Sequence, residues 1–361
     1  MAKNVSLVTW IGAGNYGTLL QSYALHHELE RLGYNVCFLN KIGVVRSFKL
    51  FFNQCFFRKK KENFSLKKQK QNEFIKNYRI KNVYTIFPKC AINKATDVYI
   101  TGSDQIWNTM FYWDPFYFLY FAGRKKRIAY ASSLGTNYIN PKYKSRVKKY
   151  LLKFSHIGLR EQSTIQLLSE LLGRNDIVSV PDPTFLLTAK EWNEIAQKAV
   201  LEFDVPEKYM FVYFVGKRDS YTTTLETIRK KHGIKQIIIV PSFESGFFNI
   251  ADALIYKNAG PAEFVKLLQN ATVICTDSFH ASAFSINLSK DFYVLKRFSD
   301  KDENSQNVRI YDLLLRYNLK HRLCDEACKI ENLPIDYSSV QPLLEKDRKN
   351  AKTYLINSIE N

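Results

Sequence analysis

The sequence is short of acids. Its 34 Asp and Glu face 53 Lys and Arg, leaving a formal charge of +19 at neutral pH. Such an excess concentrates anionic partners, whether nucleic acid, acidic lipid or phosphorylated small molecules, and does not choose among them. Cysteine pairing is missing as well. The six cysteines, at 37, 55, 90, 275, 324 and 328, form no C-x-x-C, which argues against structural zinc and a disulfide framework. Cys37 and Cys275 instead fall in apolar, strand-like runs, where a thiol acts as a small hydrophobe. No stretch approaches the roughly 18 apolar residues that a membrane span requires. The amino terminus, MAKNVSLVTWIG, has no basic region followed by an apolar core and cleavage site, so the expected location is cytoplasmic. No repeat of 20 to 50 residues is evident.

What is present is aromatic and globular. With 26 Phe, 22 Tyr and 46% hydrophobic residues the chain is not of the disordered class. Its 361 residues exceed what one core usually organises and suggest about two domains. NVSLVTW reads as a buried strand, IGAGNYG as a loop, and the next segment as a helix with Leu20, Tyr23, Ala24 and Leu32, closed by Gly33. The run YNVCFL completes a βαβ unit. From there to about residue 95 a Phe-rich, Lys-rich segment shows no strand alternation and reads as a helical, peripheral insertion. The strands DVYIT, RIAYAS, HIGL and IVSV follow, and a second α/β series runs through YMFVYFVG, KQIIIVP, TVICT and DFYVLK.

The expected organisation is therefore two α/β, Rossmann-like domains in tandem, with a cleft implied. The first covers 1–190 with its insertion at about 41–95, a connection covers 191–208, the second domain 209–335, and an amphipathic helix 336–361.

Gly12, Gly14 and Gly17 fit G-x-G-x-x-G between a strand and a helix, where backbone N–H groups can meet an anion. A nicotinamide cofactor is disfavoured, because the second strand ends in Leu39-Asn40 where a ribose-binding acid would stand. A bare packing turn, or an anion or sugar site using Gly14, Asn15, Tyr16 and Gly17, remains open. In ITGSDQIWN, Ser103 and Asp104 follow a strand's carboxyl end, where open α/β sheets bind ligands; Asp104 is either a proton acceptor or a turn-capping residue. Arg160, after HIGL, carries five donors suited to a carboxylate or phosphate, and its neighbour Glu161 offers a local ion pair instead. Asp182, between prolines in VPDPT, reads as a structural turn. In TVICTDSFHASAFSI, Asp277, Ser278 and His280 emerge where a strand meets a helix amino terminus, and His280 is a candidate proton donor. Phe48, Phe52 and Phe56, among lysines, either pack on their own domain or lie in a membrane interface.

Taken in order, GNYGTLLQSYAL, VYITGSDQIWN, RIAYASSLG, GLREQST, VPDPTFLL, GPAEFVKLLQNATVICTDSFHASAFSI and NVRIYDLL resemble the landmarks of the polysaccharide pyruvyl transferase family over most of the chain. Two departures stand out: Ala281-Ser282 occupy positions where members commonly have glycine, and 41–95 matches no pattern. The resemblance implies two facing Rossmann-like domains, similar to the GT-B glycosyltransferase architecture. It also implies transfer of a pyruvyl group from phosphoenolpyruvate to two sugar hydroxyls, giving a cyclic ketal in bacterial surface polysaccharide biosynthesis. The acceptor it suggests is a lipid-linked oligosaccharide, handled at the inner face of the cytoplasmic membrane. Under it, Arg160 and the Phe279-His280 pair hold the donor. Phe279 stands where the usual motif has Leu after an Arg, and Arg309 is the candidate to supply the missing charge. His280 would give the proton to the donor's methylene carbon, and Asp104 or Asp277 would take one from the acceptor. Neither metal nor cofactor is expected beyond phosphoenolpyruvate as co-substrate. Two rival readings stay open: a nucleotide-sugar glycosyltransferase of the same architecture, and a non-catalytic polyanion binder. No nucleic-acid recognition motif is present.

Overall fold

The computed structural model describes residues 2–11, 15–42, 65–84, 94–216, 220–242, 250, 252–302, 304–324 and 334–361. They form two compact units. Unit 1 comprises Met1–Ile11, Ser22–Val180 and Lys352–Asn361, and unit 2 comprises Gly12–Gln21 and Pro181–Ala351.

In unit 1 the strands are β1 (Asn4–Val8), β2 (Asn35–Ile42), β3 (Ile80–Tyr84), β4 (Val98–Thr101), β5 (Lys126–Ser132), β6 (His156–Leu159) and β7 (Val178–Ser179). They lie in the order β3-β2-β1-β4-β5-β6-β7, all parallel. A parallel sheet covered on both faces demands continuous apolar runs, and VYIT is buried at every position. The helices are most of α1 (Tyr16–Arg31), α2 (Leu66–Phe74), α3 (Pro141–Leu151) and α4 (Ile165–Leu172). Helix α1 ends as its sequence proposes. Gly33 sits at φ +89, and the N–H of Tyr34 donates to Leu29 O, the left-handed close for which glycine is suited.

Unit 2 repeats the plan. Strands β8 (Tyr209–Tyr213), β9 (Gln236–Ile239), β10 (Ala253–Ile255), β11 (Val273–Thr276), β12 (Phe292–Leu295) and β13 (Leu323–Cys324) form a parallel sheet in the order β10-β9-β8-β11-β12-β13. Its helices are α5 (Ala189–Ala196), α6 (Ser220–Lys231), α7 (Pro261–Asn270), α8 (Phe279–Asn287), α9 (Val308–Arg316) and most of α10 (Tyr337–Glu360). Helix α8 is buried at all nine positions. Its small residues suit that burial, and Ser282 and Ser285 satisfy their hydroxyls on the carbonyls of Ser278 and Ala281, one turn back. The glycine expected at 281–282 is thus replaced by residues of nearly the same bulk.

Three expectations change. Inside the supposedly helical insertion, β3 pairs in parallel with β2 as an edge strand, Phe38 opposite Ile80, while α2 supplies the helix. The preceding Tyr78 stacks against His26, which stacks on Phe38, an aromatic anchor for the strand that alternation in a Lys-rich run did not reveal. Residues 43–64, with Phe48, Phe52 and Phe56, lie outside the described residues. The connection at 191–208, read as charged and mostly helical, begins inside a packed helix. Helix α5 opens with a Thr188/Glu191 capping box, buries Trp192 against Phe284, and packs on α7. Finally, the boundary falls at 180/181 rather than 190, Gly12–Gln21 belongs with unit 2, and the end of α10 belongs with unit 1.

Candidate functional site

Both sheets reverse their strand order beside their first strand, at β1/β4 and at β8/β11, the place where open α/β sheets bind ligands. The residues singled out by sequence lie at these carboxyl ends.

In unit 1 the structure brings Ser103, Asp104 and Arg160 together. Arg160 is 5% exposed; its Nε donates to Glu161 Oε1 at 2.9 Å and its Nη1 to Ser103 Oγ at 3.3 Å. Ser133 Oγ also donates to Glu161 Oε1, at 2.8 Å. The local ion pair anticipated as the alternative for Arg160 is therefore formed, and it holds the guanidinium in place while offsetting part of its charge. Asp104 has φ +75, rare outside glycine and tolerated by Asp, and its carboxylate accepts the N–H of Gln105 at 2.9 Å. Its carbonyl accepts from Ser133, just past a register shift in β5 where Ala131 has φ +54. Two left-handed non-glycine residues at one sheet end mark backbone held in a costly conformation by its surroundings.

In unit 2 the junction after β11 divides its residues between scaffold and chemistry. Asp277 belongs to the scaffold. Its Oδ1 accepts the N–H of Val215 at 2.6 Å, and its Oδ2 accepts that of Gly216 at 2.7 Å and the hydroxyl of Tyr221 at 2.9 Å. Arg297 lies 3.7 Å from the same carboxylate and donates to the Asp277 carbonyl. A carboxylate so engaged ties β11 to the loop after β8 and is poorly placed to act as the base proposed for it. Ser278 caps α8, its hydroxyl accepting from Ala281 N at 3.5 Å, and Phe279 is 4% exposed with its ring edge-on to His280. Arg309, on α9 packed beside α8, is buried and donates to the carbonyl and side-chain oxygen of Gln306.

His280 faces two groups that sequence spacing did not connect to it. Its Nε2 lies 3.6 Å from Asp182 Oδ2, both side chains being buried. Asp182 is the structural turn residue anticipated, accepting from Thr184 N and Oγ1 through Oδ1, and it presents its other oxygen to the imidazole. On the ring's other edge is Gly17, where an added Cβ would come within 2.2 Å of His280 Cγ and Nδ1. The third glycine of the G-x-G-x-x-G pattern is thus a clearance for the histidine.

The rest of that loop is structural. Asn15 caps α1, its Oδ1 accepting from Gly17 N at 2.9 Å and Thr18 N at 3.4 Å. Tyr16 is fully buried, its ring stacked on Phe264 at 4.6 Å and its hydroxyl donating to Ala259 O at 2.8 Å, so it packs the interior rather than lining a binding surface. That stacked pair contributes roughly 0.5–1.5 kcal/mol beyond its buried area. Gly14 lies outside the described residues. Among the described residues no group of three His, Cys, Asp or Glu could hold a metal ion, and no helix is long and apolar enough to cross a membrane.

These two parallel sheets have counterparts in solved enzymes. Arabidopsis thaliana UGT89C1 complexed with UDP-L-rhamnose is similar with a TM-score of 0.52 and 10% identity, covering 99% of this chain and 99% of that one. UDP-GlcNAc 2-epimerase from Neisseria meningitidis is similar with a TM-score of 0.50 and 11% identity, over 98% and 100%. The fold is the two-domain α/β architecture of the GT-B enzymes. Comparison with curated proteins returns no match. The family model of polysaccharide pyruvyl transferase matches residues 15–297, and the chain belongs to that family.

Proposed function

We propose that the protein transfers the pyruvyl group of phosphoenolpyruvate to two hydroxyls of a sugar acceptor, forming a cyclic ketal and releasing phosphate. Family membership supports the reaction class. The observation that carries the residue assignment is the buried His280–Asp182 pair at the start of α8, whose imidazole packs against the backbone of Gly17.

With Nε2 turned to a carboxylate, an imidazole holds one orientation and its proton affinity is supported by the neighbouring charge. His280 adds a proton to the donor's methylene carbon, leaving an oxocarbenium-like centre at the neighbouring carbon. One acceptor hydroxyl bonds to that carbon, the carbon–oxygen bond to phosphate breaks, and the second hydroxyl closes the ring. Of the two hydroxyl protons released, one restores His280 and the other leaves with phosphate. In unit 1, Asp104 is the proposed acceptor of a hydroxyl proton, and Arg160 with Ser103 the proposed carboxylate-binding pair. In unit 2, the phosphate falls to the α8 amino terminus, with Ser278 and Phe279 shaping it and Arg309 or Arg297 supplying charge. The proposed setting is bacterial surface polysaccharide synthesis on a lipid-linked oligosaccharide at the cytoplasmic membrane face, with no cofactor beyond the donor.

The test is incubation with phosphoenolpyruvate and a panel of saccharides. Phosphate release dependent on the acceptor, with a carboxyethylidene ketal in the product's mass spectrum, is the expected result. Transfer from nucleotide sugars alone would overturn the proposal.

A further inference from the structure

Helix α3, PKYKSRVKKYL, carries Lys142, Lys144, Arg146, Lys148 and Lys149 and no acid. Val147 and Leu151 are its buried residues and fix its rotation on the core. At 100° per residue Lys142, Arg146 and Lys149 then lie on the opposite side while Lys144 and Lys148 lie along one flank, and each of the five is exposed. Unpaired by any acid of their own helix, they give one sign of charge to its exposed face.

Exposed apolar groups border the same face. Phe111 is 58% exposed, Tyr112 46%, Tyr138 49% and Leu152 50%. The segments that carry the first three lie beside the amino-terminal end of α3. Asn140, its N-cap, donates from its backbone N to Thr109 Oγ1 at 2.9 Å, and Trp113 stacks on Tyr143 with ring centres 4.7 Å apart. Leu152 follows the last turn. Along one flank, a groove of about 370 Å³ between α3 and α4 is lined by Tyr138, Lys144, Lys148, Leu167, Glu170 and Leu171.

We propose that unit 1 carries a membrane-docking face, in which the cationic side of α3 and the exposed aromatic residues at its amino-terminal end bind an anionic phospholipid surface. Rings with one wet edge and cations on long stems are the groups that settle at the headgroup level, where ammonium and guanidinium meet phosphate and the rings enter the acyl boundary. Leu152 favours lipid over nucleic acid, since an aliphatic chain gains nothing from stacking on bases but is accepted among acyl chains. The overall excess of +19 adds long-range attraction to the same surface. This inference stands on the surface alone and holds whichever donor or acceptor the protein uses.

The experiment is sedimentation of the full chain with vesicles of phosphatidylcholine, with and without phosphatidylglycerol, at physiological salt. Binding only to the anionic vesicles is expected. Lys142→Glu, Arg146→Glu and Lys149→Glu together should weaken it by on the order of a hundredfold or more. A control triple on exposed lysines of unit 2, Lys198→Glu, Lys208→Glu and Lys235→Glu, changes net charge equally and should weaken it far less. Phe111→Ser should weaken vesicle binding with thermal stability unchanged. Absence of binding, equal losses in the two triples, an unaffected Phe111→Ser, or displacement of vesicles by equimolar duplex DNA would each overturn the proposal.

Discussion

Asp104 and Asp277 follow topologically equivalent strands, β4 and β11, each lying beside the first strand of its sheet. Their fates differ. Asp277 spans the junction to take two backbone N–H groups and a tyrosine hydroxyl, so it knits the sheet end. Asp104 is turned into the left-handed region and accepts its own neighbour's N–H. A like contrast separates the charged pairs. Arg160 and Glu161 are adjacent in sequence and backed by serines, whereas His280 and Asp182 come from distant segments. One topology thus delivers a scaffold carboxylate at one sheet end and a strained one at the other, and the strained one is the better candidate for chemistry.

Substitution separates the two kinds of residue. The largest effect is expected from His280→Ala, a loss of roughly 10²–10⁴-fold in turnover with the circular dichroism unchanged. Asp182→Asn should lower turnover less and move the pH profile, because it alters the partner and spares the proton carrier. Unaltered kinetics in both would remove His280 from the mechanism. Arg160→Ala, by contrast, strips Glu161 of its buried partner and should cost about 3–5 kcal/mol in a denaturation curve. Arg160→Met combined with Glu161→Gln recovers most of that stability, so activity is best read in the double variant.

Gly17→Ala tests the clearance. A methyl placed 2.2 Å from the imidazole must displace it, at about 1–3 kcal/mol of stability. In a His280→Ala background the same change should cost clearly less, and equal costs in the two backgrounds would show that the ring is not what glycine accommodates. Next, Asp277→Asn should lose about 1–3 kcal/mol, since the amide nitrogen faces N–H groups it cannot accept from. Asp104→Asn, a residue that also tolerates positive φ, should change stability little and turnover more. The reverse pattern would exchange their roles.

The smallest effect concerns His26, whose pKa burial lowers against the opposing pull of Glu30. A base with a folded pKa below its unfolded value adds stability above the unfolded value, and that stability fades as pH falls towards the folded one. Urea midpoints should therefore drop on acidification below the ordinary histidine range, and His26→Phe should shrink that drop. His156 and His232, also lowered by burial, retain the remainder.

Most strands were legible because a doubly covered parallel sheet writes itself as runs such as VYIT and VICT, and α1 because its apolar spacing and a closing Gly33 mark it. The edge strand β3 was not, since Lys81 and Asn82 suit a half-exposed edge and mimic a polar helix. Helix α5 resembled a linker because its anchor, Trp192, is one residue in a charged stretch. At the site, spacing identified the β11–α8 junction as a place for chemistry. It could not tell that Asp277 is committed to amides on another loop, nor that Gly17 and Asp182 converge on His280 from far along the chain. Local pattern reports an element's ends, and long-range packing decides which side chains those ends leave available.

The hydrogen bond from Tyr16 to Ala259 joins residues 243 apart, and it lies within one compact unit. During synthesis the first turn of α1 therefore leaves the ribosome well before the surface that will enclose it exists. At about 5–20 residues per second that interval is on the order of ten to fifty seconds. The nascent chain spends that time with an aromatic, glycine-bearing segment still awaiting its pocket, so the histidine's clearance can be set only after most of the protein has been translated.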